Sequence, residues 1–288
     1  MSRRALVSAL AAVALLSPTI IQTSAVAQTG CDPFTTTPHY LHQAPTSTQV
    51  LGFALGSQEV DVGQSNQYLD AVADASARVI DGTAATSVQG RPVRYAVVGR
   101  ADRMTAAALA TIRANATALR DPTIGASQAA TLEAATPEIL WISANVHGDE
   151  ESGADAALQT LYELADRDDC VVTTILDAAI VVVLPIQNPD GRELNTRRNA
   201  YGFDMNRDWF ARTQPETDGK LEVLRQYPPM LYIDAHEFGL QNYFFPPNAD
   251  PEYHEISDTA HYWINDLYSP AITAEFEREK IQFFHGAQ

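Results

Sequence analysis

Apolar positions along the chain fall into two patterns. "RPVRYAVVG" (91–99) reads as a strand with Arg and Pro at its edge, and three further runs lack polar alternation: "PEILWISANV" (137–146), "AAIVVVLPIQNPDG" (178–191) and "PMLYIDAHEFG" (229–239). Such runs predict strands buried on both sides. Elsewhere apolar residues recur at helical spacing. Tyr68, Leu69, Val72 and Val79 do so after Ser65, which reads as an N-cap, and Leu158, Leu161 and Leu164 do so within 153–165. Thr105 is placed to cap an alanine-rich helix over 106–119, and 254–281 reads as mostly helical. Strands separated by helices predict an α/β domain whose sheet is covered on both faces. Internal repeats are absent from the sequence.

Three of the strands end in polar residues: His147, Asn188 to Asp190, and His236. In open α/β sheets ligands bind at the carboxyl ends of the strands. His147 and Glu150, three apart at a strand-to-helix junction, can point at one ion, and His236 would join them from a neighbouring strand end. A hydrolytic zinc site takes three protein ligands and keeps a fourth position for water. By itself "HGDE" reads better as a solvated helix start, whose acids meet the helix dipole.

Two longer strings alter that balance. "NPDG" at 188–191 is followed by "RRNAYGFDMNRDW" at 197–209, which carries Arg197, Asn199, Gly202, Asp204, Asn206 and Arg207. With "HGDE", "DAHEFG" and the strand region "TSVQGRPVRYAVVG" at 86–99, the order of motifs over roughly 60–245 resembles the zinc metallocarboxypeptidases, the peptidase M14 family. The resemblance implies a mixed, largely parallel sheet with helices on both faces, and one zinc ion as cofactor. It assigns His147, Glu150 and His236 as metal ligands. Asp204 would hydrogen-bond the first ligand histidine. Asn206 and Arg207 would grip the terminal carboxylate of the substrate, and Arg197 would stabilise the oxyanion. The implied reaction is cleavage of C-terminal peptide bonds by a zinc-activated water, on a peptide or protein with a free C-terminus. An amidase or deacylase acting on cell-wall peptides, and a non-catalytic module binding zinc and peptide, are the alternatives.

One part of the family pattern is not found. The general-base glutamate lies several dozen residues past the third ligand on a late strand, whereas 52 residues follow His236 here. Glu275, Glu277 and Glu279 read as a charged helix face. The expectation is an N-terminal fragment, with the base beyond residue 288. Asp149, Glu151 and Glu237 have no family role and read as exposed acids or supporting groups. His39, His42, His254, His261 and His285 show no ligand spacing.

Composition narrows the setting. With 19 Lys plus Arg against 36 Asp plus Glu, the net charge of −17 argues against nucleic acid and against a polybasic membrane patch. Arg3 and Arg4, the apolar run Ala5 to Leu16 and Ala25-Val26-Ala27 have the layout of a secretory signal peptide over 1–27, and "SRRALV" suits a twin-arginine route. Residues 28–50 read as an extended lead-in to a catalytic domain over 51–288. Cys31 and Cys170 would be free to pair after export, with no spacing pattern to test it. No membrane anchor is expected.

Overall fold

A computed structural model describes residues 31–33, 35–237 and 256–283; the expected signal segment, His254 and His285 lie outside them. Helix α1 (Ser47–Leu51) is followed by α2 (Val62–Ala75), β1 (Val79–Thr86), β2 (Pro92–Val98), α3 (Ala106–Leu119), α4 (Ala126–Ala135) and β3 (Glu138–Ala144). Then come α5 (Ser152–Asp166), α6 (Cys170–Ala178), β4 (Ala179–Leu184), α7 (Pro189–Leu194), α8 (Pro215–Gln226), β5 (Leu231–Ala235), α9 (Asp258–Tyr262) and α10 (Ser269–Glu279).

The strands form one mixed sheet in the order β1-β2-β4-β3-β5. β1 with β2 and β2 with β4 are antiparallel, while β3 pairs parallel with both β4 and β5. The parallel half is the one that carries the polar strand ends. Because side chains alternate along a strand, β4 feeds two cores. Val181 and Val183 pack with Leu69, Leu158 and Leu161 from α2 and α5. Ile180, Val182 and Leu184 pack with Leu109 and Ile112 from α3 and Val223 from α8. Helices therefore cover both faces, which is why the β4 sequence is apolar throughout.

Three expectations change in detail. The first long helix is capped by Asp61 in a capping box with Gln64, four residues before Ser65, and Ser65 is buried within it. Val79 opens β1 instead of continuing that helix; its helical spacing from Val72 is incidental. "NPDG" is not a plain turn but the first turn of α7, where the Asn188 side chain accepts from Gly191 N and Pro189 fills the first position.

The lead-in is partly structured and tied down. Cys31 and Cys170 form a disulfide. The buried Asp166 carboxylate accepts from the backbone N–H groups of His42, Gln43 and Ala44 at 3.0, 2.8 and 2.9 Å. Thr46 then caps α1 in a second capping box. No helix among the described residues is long and apolar enough to cross a membrane.

Candidate metal centre

The site forms where β3 and β5 end side by side. Their register pairs Ala144 with Ala235, so the segments leaving the two strands start at the same level. After β3, Asn145 takes a left-handed conformation (φ 54°), and its side-chain amide donates to the carbonyls of His147 and Glu150 at 2.9 and 2.8 Å. Asparagine tolerates that backbone region better than most residues. The tight loop turns His147 and Glu150 inward, and α5 departs at Ser152.

His147, Glu150 and His236 come together, with one donor atom from each lying within 4.8 Å of the others. Both imidazoles turn the same nitrogen toward the glutamate: His147 Nδ1 is 2.6 Å from Glu150 Oε1, and His236 Nδ1 is 2.8 Å from Oε2. Behind each ring stands a carboxylate. Asp204 Oδ1 is 3.1 Å from His147 Nε2, and Asp234 Oδ2 is 3.2 Å from His236 Nε2. This arrangement fixes the tautomer of a metal-binding imidazole and leaves Nδ1 free to coordinate. Two imidazoles, each backed in this way, together with the Glu150 carboxylate fit a zinc ion.

The electrostatics favour ionised carboxylates. Burial would raise Glu150, but its hydrogen bonds to His236 and His147 outweigh this and hold it below the usual range. Burial likewise opposes, and fails to prevent, the lowering of Asp204 by Arg197 and His147 and of Asp234 by His236 and Lys220. The hydrogen bonds from Asp234 and Glu150 raise His236 to about 9.

Arg197 lies beside the trio. Asp204 Oδ2 holds it through Nε and Nη2 at 3.1 and 2.9 Å, leaving Nη1 3.2 Å from His147 Nδ1 and 3.8 Å from Glu150 Oε1. Asn206 follows on the short 3₁₀ turn Met205–Arg207; its Nδ2 is 3.3 Å from His236 Nε2, and its Oδ1 accepts from Trp209 Nε1 at 3.3 Å. Arg207 is exposed and donates to its neighbour's carbonyl, Asn206 O, at 3.0 Å.

The remaining acids separate. Asp149 is exposed, Glu151 pairs with Arg192 at 2.9 Å, and Glu237 accepts from the backbone of Ser152. Glu275 and Glu279 both pair with Arg278 near the end of α10. Among the described residues, no carboxylate beyond Glu150, Asp204 and Asp234 is bonded to His147 or His236. Asp234 was not read from the sequence as a site residue. Its signal is an aspartate inside an apolar strand, two positions from His236 and so on the same side.

Comparison with known proteins bears on the family and the fold. The sequence profile of peptidase M14, zinc carboxypeptidase, matches residues 65–282. Carboxypeptidase 2 of Trichophyton tonsurans is 32% identical over 107 residues, 37% of this chain and 20% of that protein. Human carboxypeptidase D is 28% identical over 175 residues, 54% of this chain and 12% of that protein. The matched stretches thus span a fifth or less of these relatives. Among solved structures, carboxypeptidase A from Helicoverpa armigera aligns with a TM-score of 0.57 at 15% identity, over 83% of this chain and 63% of that one. A metallo-carboxypeptidase from Burkholderia cenocepacia aligns at 0.54 and 17% identity, over 78% and 53%.

Proposed function

The chain belongs to the zinc carboxypeptidase family, and we propose from that premise that it holds one zinc ion on His147, Glu150 and His236 and cleaves the C-terminal peptide bond of a peptide or protein. The observation that carries this reading is the convergence of the three donors with an aspartate behind each histidine. Bound zinc supplies Lewis acidity and lowers the pKa of water. The chain's own groups supply the rest. Arg197, held in place by Asp204, presents a cation where negative charge develops on the scissile carbonyl oxygen, a preorganised role. Asn206 and Arg207 bind the substrate's terminal carboxylate, for which a guanidinium fork is suited. The Arg3–Ala27 segment supports export, so the reaction takes place outside the cytoplasm.

Hydrolysis of N-acylated dipeptides with free or amidated C-termini tests this reading. The assay is run on the zinc-loaded chain, with the metal-free chain as control. Cleavage of the free acid alone, abolished by chelation, is the expected result. Indifference to amidation would favour an amidase on the same scaffold. If the chain binds zinc and cleaves nothing, a binding module replaces the enzyme.

A further inference from the structure

A buried cation stands behind His236. Lys220 lies on α8 and is 2% exposed. Its Nζ donates to Gln187 Oε1 at 2.6 Å and sits 3.6 Å from the centroid of the Trp209 ring. An ammonium in the interior loses its hydration and has to be compensated by the groups around it. Here the ring face, the Gln187 oxygen and the charges of Asp234 and Asp208 compensate it.

Two contact paths lead from Lys220 to the same imidazole. In the first, Gln187 Nε2 donates to Asp234 Oδ1 at 3.2 Å, and Asp234 Oδ2 faces His236 Nε2. In the second, Trp209 Nε1 donates to Asn206 Oδ1, and Asn206 Nδ2 is 3.3 Å from His236 Nε2. The chemistry of the first path gives it a direction. An ammonium can only donate, so it requires the oxygen of the Gln187 amide to face it. The amide's NH₂ then faces Asp234, which as a carboxylate can only accept. Lys220 and Asp234 thus hold the amide from opposite ends, and without Lys220 its oxygen loses the charged donor that anchors it.

We propose that Lys220 is a positioning residue of the metal centre: it orients Gln187, and through it Asp234, so that His236 presents Nδ1 beside Glu150. The proposal rests on the zinc reading above. It is specific to a path of contacts linking α8, the segment after β4 and β5, none of which is local in sequence.

Zinc affinity, measured by competition with a chromophoric chelator, tests this without any peptidase assay. Lys220→Met is expected to weaken zinc about tenfold, the lower end of what losing an outer partner of a metal ligand costs. It should also shift the ligand-field spectrum of the cobalt(II) form. Gln187→Met, which breaks the same path and keeps the lysine, is expected to act in the same direction. In an Asp234→Asn background, most of the Lys220→Met effect should vanish, because the path already ends there. Thermal unfolding establishes that each variant is folded. Wild-type affinity in both single variants would overturn the role of Lys220, as would a loss undiminished in the Asp234→Asn background. A wild-type chain that binds no zinc would overturn the proposed function as well.

Discussion

Gly148 and Gly191 meet backbone to backbone: a Cβ on Gly148 would stand 2.0 Å from the Gly191 carbonyl carbon and 2.3 Å from its oxygen. The contact presses the loop carrying His147 and Glu150 onto the first turn of α7. Gly148→Ala cannot be absorbed by a flexible side chain, since the obstacle is main chain. A loss of about 3 kcal/mol, at the upper end for overpacking, is expected from urea unfolding, together with weakened zinc binding. Unchanged stability would mean that the loop and α7 separate easily.

Asp204 serves His147 and Arg197 at once. Asp204→Ala should therefore weaken zinc by roughly 10- to 100-fold. Arg207→Ala, at an exposed side chain, should leave zinc affinity unchanged and raise KM for substrates with a free carboxylate. Chelator competition and steady-state kinetics separate the two outcomes.

Arg197 is half-exposed and close to the donor trio. Arg197→Ala is expected to lower kcat by roughly 10²- to 10³-fold, the cost of one oxyanion donor, with zinc still bound. A change confined to KM would move this residue from oxyanion stabilisation to ground-state binding.

Lys220 makes stability depend on pH. Burial lowers its ammonium from 10.5 to about 8, with Asp234 and Asp208 opposing the shift. Between about 8 and 10.5 the unfolded chain therefore holds a proton at this residue that the native chain has lost. The Lys220 contribution to stability rises with pH across that window and is least favourable below it. Urea unfolding of the metal-free protein should show this increment in the wild type and not in Lys220→Met.

Asp166 holds the lead-in by three backbone N–H groups. Asp166→Ala should cost about 3 kcal/mol, the upper range for a hydrogen-bonded buried charge. Faster amide exchange at residues 42–44 would locate the loss.

How much of this was visible in the sequence follows from range. β3, β4 and β5 declare themselves because strands covered on both sides carry no polar alternation. His147, Glu150, His236 and Asp204 could be aligned because their motifs are fixed strings. β1, with Asp81 and Gly82 in its middle, has no such run and was hidden behind the spacing of Val72 and Val79. The Lys220, Gln187 and Asp234 path spans 33 and then 47 residues of sequence. A lysine in the largely polar α8 reads locally as a solvated side chain, and only the tertiary fold shows it buried.

The pairing of Ala144 with Ala235 also has a consequence for assembly of the domain. Two of the three donors leave β3, and the third arrives only when β5 has docked beside it. Metal binding on the three donors would therefore be conditional on the pairing of β5 with β3. Any ion held there returns its binding energy to that strand contact. Zinc uptake during refolding would time the arrival of β5, and a slip of one residue in its register would turn His236 to the opposite face of the sheet.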